Sequence, residues 1–122
     1  MEKYIDVMKQ LTELLDTTPE GLKHTQLLLN EGKYEETFLL FGDVVQALSA
    51  IESTLNGLPE EILSTSIEQL TIIVKSAVEL VVRSYEVKNY SKVQEVLQHT
   101  LIPGLIRWKV GLEKELEAYL VN

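Results

Sequence analysis

A chain of 122 residues is enough for one domain, which would bury about two-thirds of the surface that it exposes when unfolded. With 45% apolar and 25% charged residues, the composition excludes a disordered chain, a collagen-like repeat and a bundle of membrane spans. Nineteen acidic side chains against eleven basic ones give a net charge of −8, with no basic cluster to offset it. That balance argues against nucleic acid and against an anionic membrane surface, since both need several Lys or Arg on one face.

The first predicted element is an amphipathic helix. Tyr4, Met8, Leu11 and Leu15 recur at helical spacing, with Val7 and Leu14 widening the stripe, and the helix is expected to end near Asp16. Thr18-Pro19-Glu20 reads as a helix start, with a capping hydroxyl followed by a proline at the first helical position. A short second helix then runs to about Glu31, where Gly32 supplies the stop. The third, about Tyr34 to Asn56, carries Phe41, Val44, Leu48, Ile51 and Leu55 as a core stripe, with Phe38 and Val45 beside it.

Asn56-Gly57 closes that helix, and Leu58-Pro59-Glu60-Glu61 is expected to open the next. There Leu63, Ile67, Leu70, Val74, Ala77 and Val81 form the stripe. Ile73, Val78, Leu80, Val82 and Tyr85 make most of the remaining circumference apolar, so this helix is expected to be the most buried. The β-branched run Thr71-Ile72-Ile73-Val74 would suit a strand, but a helical period sustained for more than twenty residues outweighs it. After a break at Asn89, a last helix from Tyr90 to about Leu120 is expected to be kinked or broken at Pro103-Gly104. The sum is an all-α, up-and-down bundle of four to five helices in a single domain spanning residues 1–122. Gly32-Lys33-Tyr34 and Lys88-Asn89-Tyr90, 56 residues apart, each join two helices and suggest two related hairpins.

Catalytic patterns are scarce. No Gly-x-Ser-x-Gly elbow, Ser-x-x-Lys helix start or phosphate-cradling glycine loop occurs, so the chain is read as non-enzymatic, with no cofactor. Glu20 with His24, and Glu95 with His99, share helix faces but fall short of a di-metal bundle site, and no metal is expected; an enzyme or metal protein centred on Glu95 and His99 is a third alternative. Cysteine is absent, and the opening Met1-Glu2-Lys3-Tyr4-Ile5-Asp6 lacks the pattern of a signal peptide. The longest strongly apolar stretch, Leu70 to Val82, is too short to span a bilayer, so a cytoplasmic location is expected.

The remaining signal is apolar surplus near the C-terminus. Trp108, Leu112, Leu116, Tyr119 and Leu120 are the candidate interaction residues, either core or anchors for a partner helix or a second copy of the chain. Val121 belongs to the same run. The leading functional expectation is a non-catalytic, cytoplasmic protein-interaction module. A small-ligand binder is the alternative, with a pocket at the Pro103 break lined by Phe38, Phe41, Tyr85 or Trp108.

Met1 to Asp16, Pro19-Glu20-Gly21-Leu22, and then Tyr90, Leu97, Leu101-Ile102-Pro103 and Trp108 carry a resemblance that covers nearly the whole chain. In these residues it resembles a family of small uncharacterised helical proteins from Bacillus-type bacteria, which implies a helical fold and brings no activity or site residues with it. In format, being short, acidic, cysteine-free and helical, the chain is also similar to flagellar export chaperones, which shield an aggregation-prone partner helix.

Overall fold

The computed structural model describes residues 2–120, with side chains from residue 3. Its helices are α1 (Glu2–Asn30), α2 (Tyr34–Asn56), α3 (Thr65–Glu86), α4 (Tyr90–Val96) and α5 (Ile102–Leu120); a π-helical turn at Leu97–Leu101 joins the last two into one bent rod. No strand occurs among the described residues, and the architecture is the all-α bundle read from periodicity.

Two helix boundaries differ from expectation. The Thr18-Pro19 signal does not start a helix, because α1 runs straight through it. Pro19 has no amide to give the Leu15 carbonyl one turn back. The buried Thr18 hydroxyl turns to the carbonyls of Leu14 and Leu15, at 3.2 and 3.4 Å, and so reaches the oxygen that proline leaves unpaired. A hydroxyl that could have capped a new helix instead keeps the old one whole. Similarly, Pro59-Glu60-Glu61 opens only a 3-10 turn, Glu60–Ile62, and α3 begins after Ser64. There the Glu115 carboxylate of α5 accepts from the Ser64 amide at 2.7 Å and from its hydroxyl at 2.6 Å.

The chain folds as two similar hairpins. At the end of α1, the Gly32 amide bonds to the Leu29 carbonyl and the Lys33 amide to Leu28, both at 3.0 Å. At the end of α3, Lys88 bonds to Tyr85 at 2.9 Å and Asn89 to Ser84 at 2.8 Å, the same pair of turn bonds. The pivotal residues, Gly32 and Lys88, both have left-handed φ, 75° and 57°. Each turn delivers a tyrosine as the first residue of the outgoing helix, and the rings of Tyr34 and Tyr90 stack with centroids 4.1 Å apart and planes 4° off parallel.

The correspondence extends along the helices. An offset of 56 pairs Leu11 with Ile67, Thr18 with Val74, Thr25 with Val81, Leu29 with Tyr85, Thr37 with Val93 and Phe41 with Leu97, all of them buried. Past the π turn the offset becomes 57: Val44 pairs with Leu101, Leu48 with Leu105, Ile51 with Trp108 and Leu55 with Leu112, again all buried. A π turn holds one residue more than an α turn, with an amide reaching back five residues, as Ile102 does to Leu97. That added residue precedes Pro103, so the predicted interruption is a bend that keeps the buried stripe in register.

In the bundle, α1 packs between α2 and α5, and α3 packs on α4, the π turn and α5; α2 and α3 barely touch. Consequently α3 is not the most buried helix. Its Ile72 is 62% exposed, and Ile73, Leu80 and Val82 are also exposed, whereas α5 hides Leu105, Trp108, Leu112 and Leu116 almost completely. The apolar circumference of α3 exceeds what three neighbouring rods can cover.

Candidate functional site

Where α2 and α3 fail to meet, a groove opens along the bundle. On α2 its wall is built from Val45, Leu48, Ser49 and Glu52, and on α3 from Thr71, Val74, Lys75, Val78 and Glu79. The spacings of three and four on each helix put these side chains in one row facing the gap. The Trp108 ring of α5 forms the floor; it is 1% exposed, and its indole nitrogen donates to the Thr71 hydroxyl at 2.9 Å. Thr71 in turn donates to the Ile67 carbonyl at 2.8 Å, so the ring is fixed through the wall of the groove itself.

This central recess holds about 170 Å³. It continues past Glu52 and Thr71 toward Leu55, Leu63 and Ile67 at the interhairpin end. Two turns in the other direction lie Phe38 and Tyr85, beside the stacked tyrosines. Phe38, 57% exposed, meets the Tyr85 ring edge-on at 5.6 Å. The Tyr85 hydroxyl donates to Thr37 at 3.1 Å, and Thr37 to the Tyr34 carbonyl at 2.7 Å, which pins α3 to the start of α2. Burial raises the Tyr85 pKa above its ordinary value; the Thr37 bond opposes this and the neighbouring Tyr90 adds to it.

One ion pair crosses the groove. Lys75 of α3 reaches Glu52 of α2 at 3.3 Å, over the recess that both residues line. On the opposite side of the bundle, Lys109 of α5 joins Asp16 of α1 at 3.3 Å and Glu113 at 3.1 Å. The bond to Glu113 raises the Lys109 pKa against the desolvation that would lower it, with Asp16 assisting. The first pair spans an open gap, and the second seals a closed seam.

Of the residues singled out in the sequence, Trp108, Leu112 and Leu116 are buried in the core, and Tyr119 and Leu120 are half-buried against it. Val121 lies outside the described residues. Those five residues are therefore covered from within the chain, and most of the uncovered apolar side chains lie on α2 and α3, with Leu27, Ile106 and Val110 exposed elsewhere. Of the residues expected to line a pocket at Pro103, Phe38 and Tyr85 border one cavity and Trp108 another, neither of them lined by Pro103, while Gly104 beside it is buried, and a Cβ built there would touch Ile73 and Val74. His24 and His99 are both exposed, and no group of three or more metal-ligating side chains occurs among the described residues.

Sequence reasoning missed the walls, Val45, Ser49, Glu52, Thr71, Lys75 and Val78. Their signal was present as an apolar surplus, in α3 as a nearly continuous circumference and in α2 as a wide stripe. Among the described residues α2, rather than Leu70 to Val82, is by length and composition the segment apolar enough to cross a membrane, yet only 22% of its most apolar stretch is buried. A surplus of that kind marks the face on which neighbours run out.

A family described as a domain of unknown function, DUF8042, matches residues 6–111, from the first turns of α1 to the middle of α5. The chain belongs to that family. The matched span includes every residue of the groove named above. Comparison with curated proteins and with solved structures finds no match.

Proposed function

We propose that this DUF8042 chain is a non-catalytic, cytoplasmic interaction module whose α2/α3 groove receives a helix from a partner protein. The observation that carries the reading is the open side of the bundle: two walls of helical spacing, apolar toward the floor, with Trp108 beneath. An amphipathic helix laid there would act as the missing rod of the bundle and cover Val45, Val78 and the flanks of Phe38 and Val82. Shielding an aggregation-prone helix, as an export chaperone does, is the same physical act. A cysteine-free, acidic chain suits the cytoplasm, and the resemblance to helical proteins of Bacillus-type bacteria belongs to this reading.

Shape separates this reading from small-ligand binding. The recess of about 170 Å³ runs on past Glu52 and Thr71 along both helices, an extended trough that suits a rod better than a compact ligand. Site-specific photo-crosslinking tests the reading. A crosslinker at Ser49, in the groove, is expected to trap a helical segment of one protein, and the same group at Glu13, on the outer face of α1, is not. The isolated segment should shift Trp108 emission. Equal trapping from both positions, or a segment that leaves the emission unchanged, would refute it.

A further inference from the structure

The proposed groove has a chemical preference of its own, and the following rests on the helix-docking reading above. Five glutamates line its length, Glu35, Glu52, Glu60, Glu68 and Glu79, against two lysines, Lys75 and Lys88. Arg83 relieves this little, reaching Glu79 at only 4.0 Å from an exposed position. Lys75 is the single cation at the central recess, and it is spent on Glu52 across the opening. With Glu52 the more covered partner, 30% against 56% exposed, the carboxylate is fixed in the wall and the lysine is the removable half.

We infer that the occupant is an amphipathic helix with basic residues flanking its apolar face, and that one of its cations replaces Lys75 on Glu52 as the helix docks. Lys75 is thus a strap over the empty groove. Opening it costs little, because exposed ion pairs are weak, and the exchange leaves Glu52 paired before and after. A second copy of this chain is a poor occupant: it would bring a net charge of −8 to an acidic rim. The same argument disfavours an anionic lipid surface, although α2 is apolar enough to suggest one.

The test uses two tryptophan-free synthetic peptides of about 20 residues with the same leucine face, one flanked by lysines and the other by glutamates. Trp108, the only tryptophan, reports docking by its emission. The lysine peptide is expected to bind and the glutamate peptide to bind far more weakly. Lys75→Ala should tighten the lysine peptide about two- to fivefold, and Glu52→Gln should weaken it by a similar factor. Ser49→Phe, which fills the recess from an exposed position, should abolish binding while leaving the thermal melt intact.

Two results would separate the inference from the reading beneath it. If both peptides bind equally, or if Lys75→Ala weakens the lysine peptide, the basic partner and the strap are wrong, while loss of binding in Ser49→Phe keeps the groove. If neither peptide moves the emission, the groove itself falls. Phosphatidylcholine vesicles that move it instead would assign the face to lipid, and a dimer by light scattering that Ser49→Phe dissociates would assign it to a second copy.

Discussion

The two hairpins solve the same problem with different materials. Each must turn sharply, present a tyrosine at the tip and carry a proline within a helix that the core requires. The first places its proline in the incoming helix, where one threonine hydroxyl serves the freed carbonyl and the helix stays unbroken. The second places its proline in the outgoing helix and absorbs it with a π turn that adds a residue. A side chain suffices where only a hydrogen bond is lost, whereas a backbone insertion is the answer that also shifts everything downstream by one position.

The sharpest way to break the comparison is to remove the added residue. Deletion of Thr100, which is exposed in the π turn, would return the segment to ordinary helical winding. Residues beyond it would keep their facing relative to Val93 and Leu97, whereas the same loss in α2, which has no π turn, by deletion of the exposed Leu39, would rotate Val44, Leu48 and Ile51 by about 100° away from the core. We expect loss of cooperative thermal unfolding by circular dichroism for the Leu39 deletion and its retention for the Thr100 deletion; loss in both would show that the register argument is wrong.

A smaller effect distinguishes the two turns. Gly32 takes its left-handed φ freely, while Lys88 holds nearly the same angle with a side chain. Gly32→Ala is expected to cost about 1 kcal/mol, a purely conformational loss because a Cβ there meets no atom within 4 Å. Lys88→Gly should instead gain about 0.5–1 kcal/mol, the relief of φ being partly offset by the added freedom of the unfolded chain. Urea unfolding of both variants checks the opposite signs, and equal signs would mean that the turns are not equivalent.

The smallest effect concerns pH. The folded chain holds the Tyr85 proton more tightly than the unfolded chain does, so the associated stability is complete below the ordinary value of 10.0 and is lost as pH climbs through the raised folded value. Lys109, also raised, acts in the same direction above its ordinary 10.5. Tyr85→Phe should cost about 1 kcal/mol at neutral pH, for the lost bond to Thr37, and should flatten the alkaline decline. Urea midpoints at about pH 8 and pH 11 measure the difference; an unchanged decline in Tyr85→Phe would acquit this residue.

Much of the fold was legible. The stripe of α2 and the Asn89 break stand where periodicity put them, because they depend on local signals: apolar spacing and an Asn89 side chain that accepts from the Lys92 amide. The Thr18-Pro19 pair misled because the same two residues suit a helix start and a helix interior, and the choice depends on whether the threonine turns forward to an amide or back to a carbonyl. The π turn was hidden for another reason. At a fixed offset of 56, Leu48 falls on Gly104 and Ile51 on Arg107, so the added residue erases the likeness that it preserves in space. The groove was least legible, since periodicity shows which face of a helix is apolar but not whether a neighbour is there to cover it.

The carboxylate of Glu115 finishes the first turn of α3 from another helix, more than fifty positions away in sequence. Ser64 makes no capping bond with its own side chain, so the start of α3 is incomplete until α5 has arrived. Such a loan ties local order to assembly: the second hairpin cannot ripen one rod at a time, and whatever loosens α5 also frays the wall on which a visitor would lean.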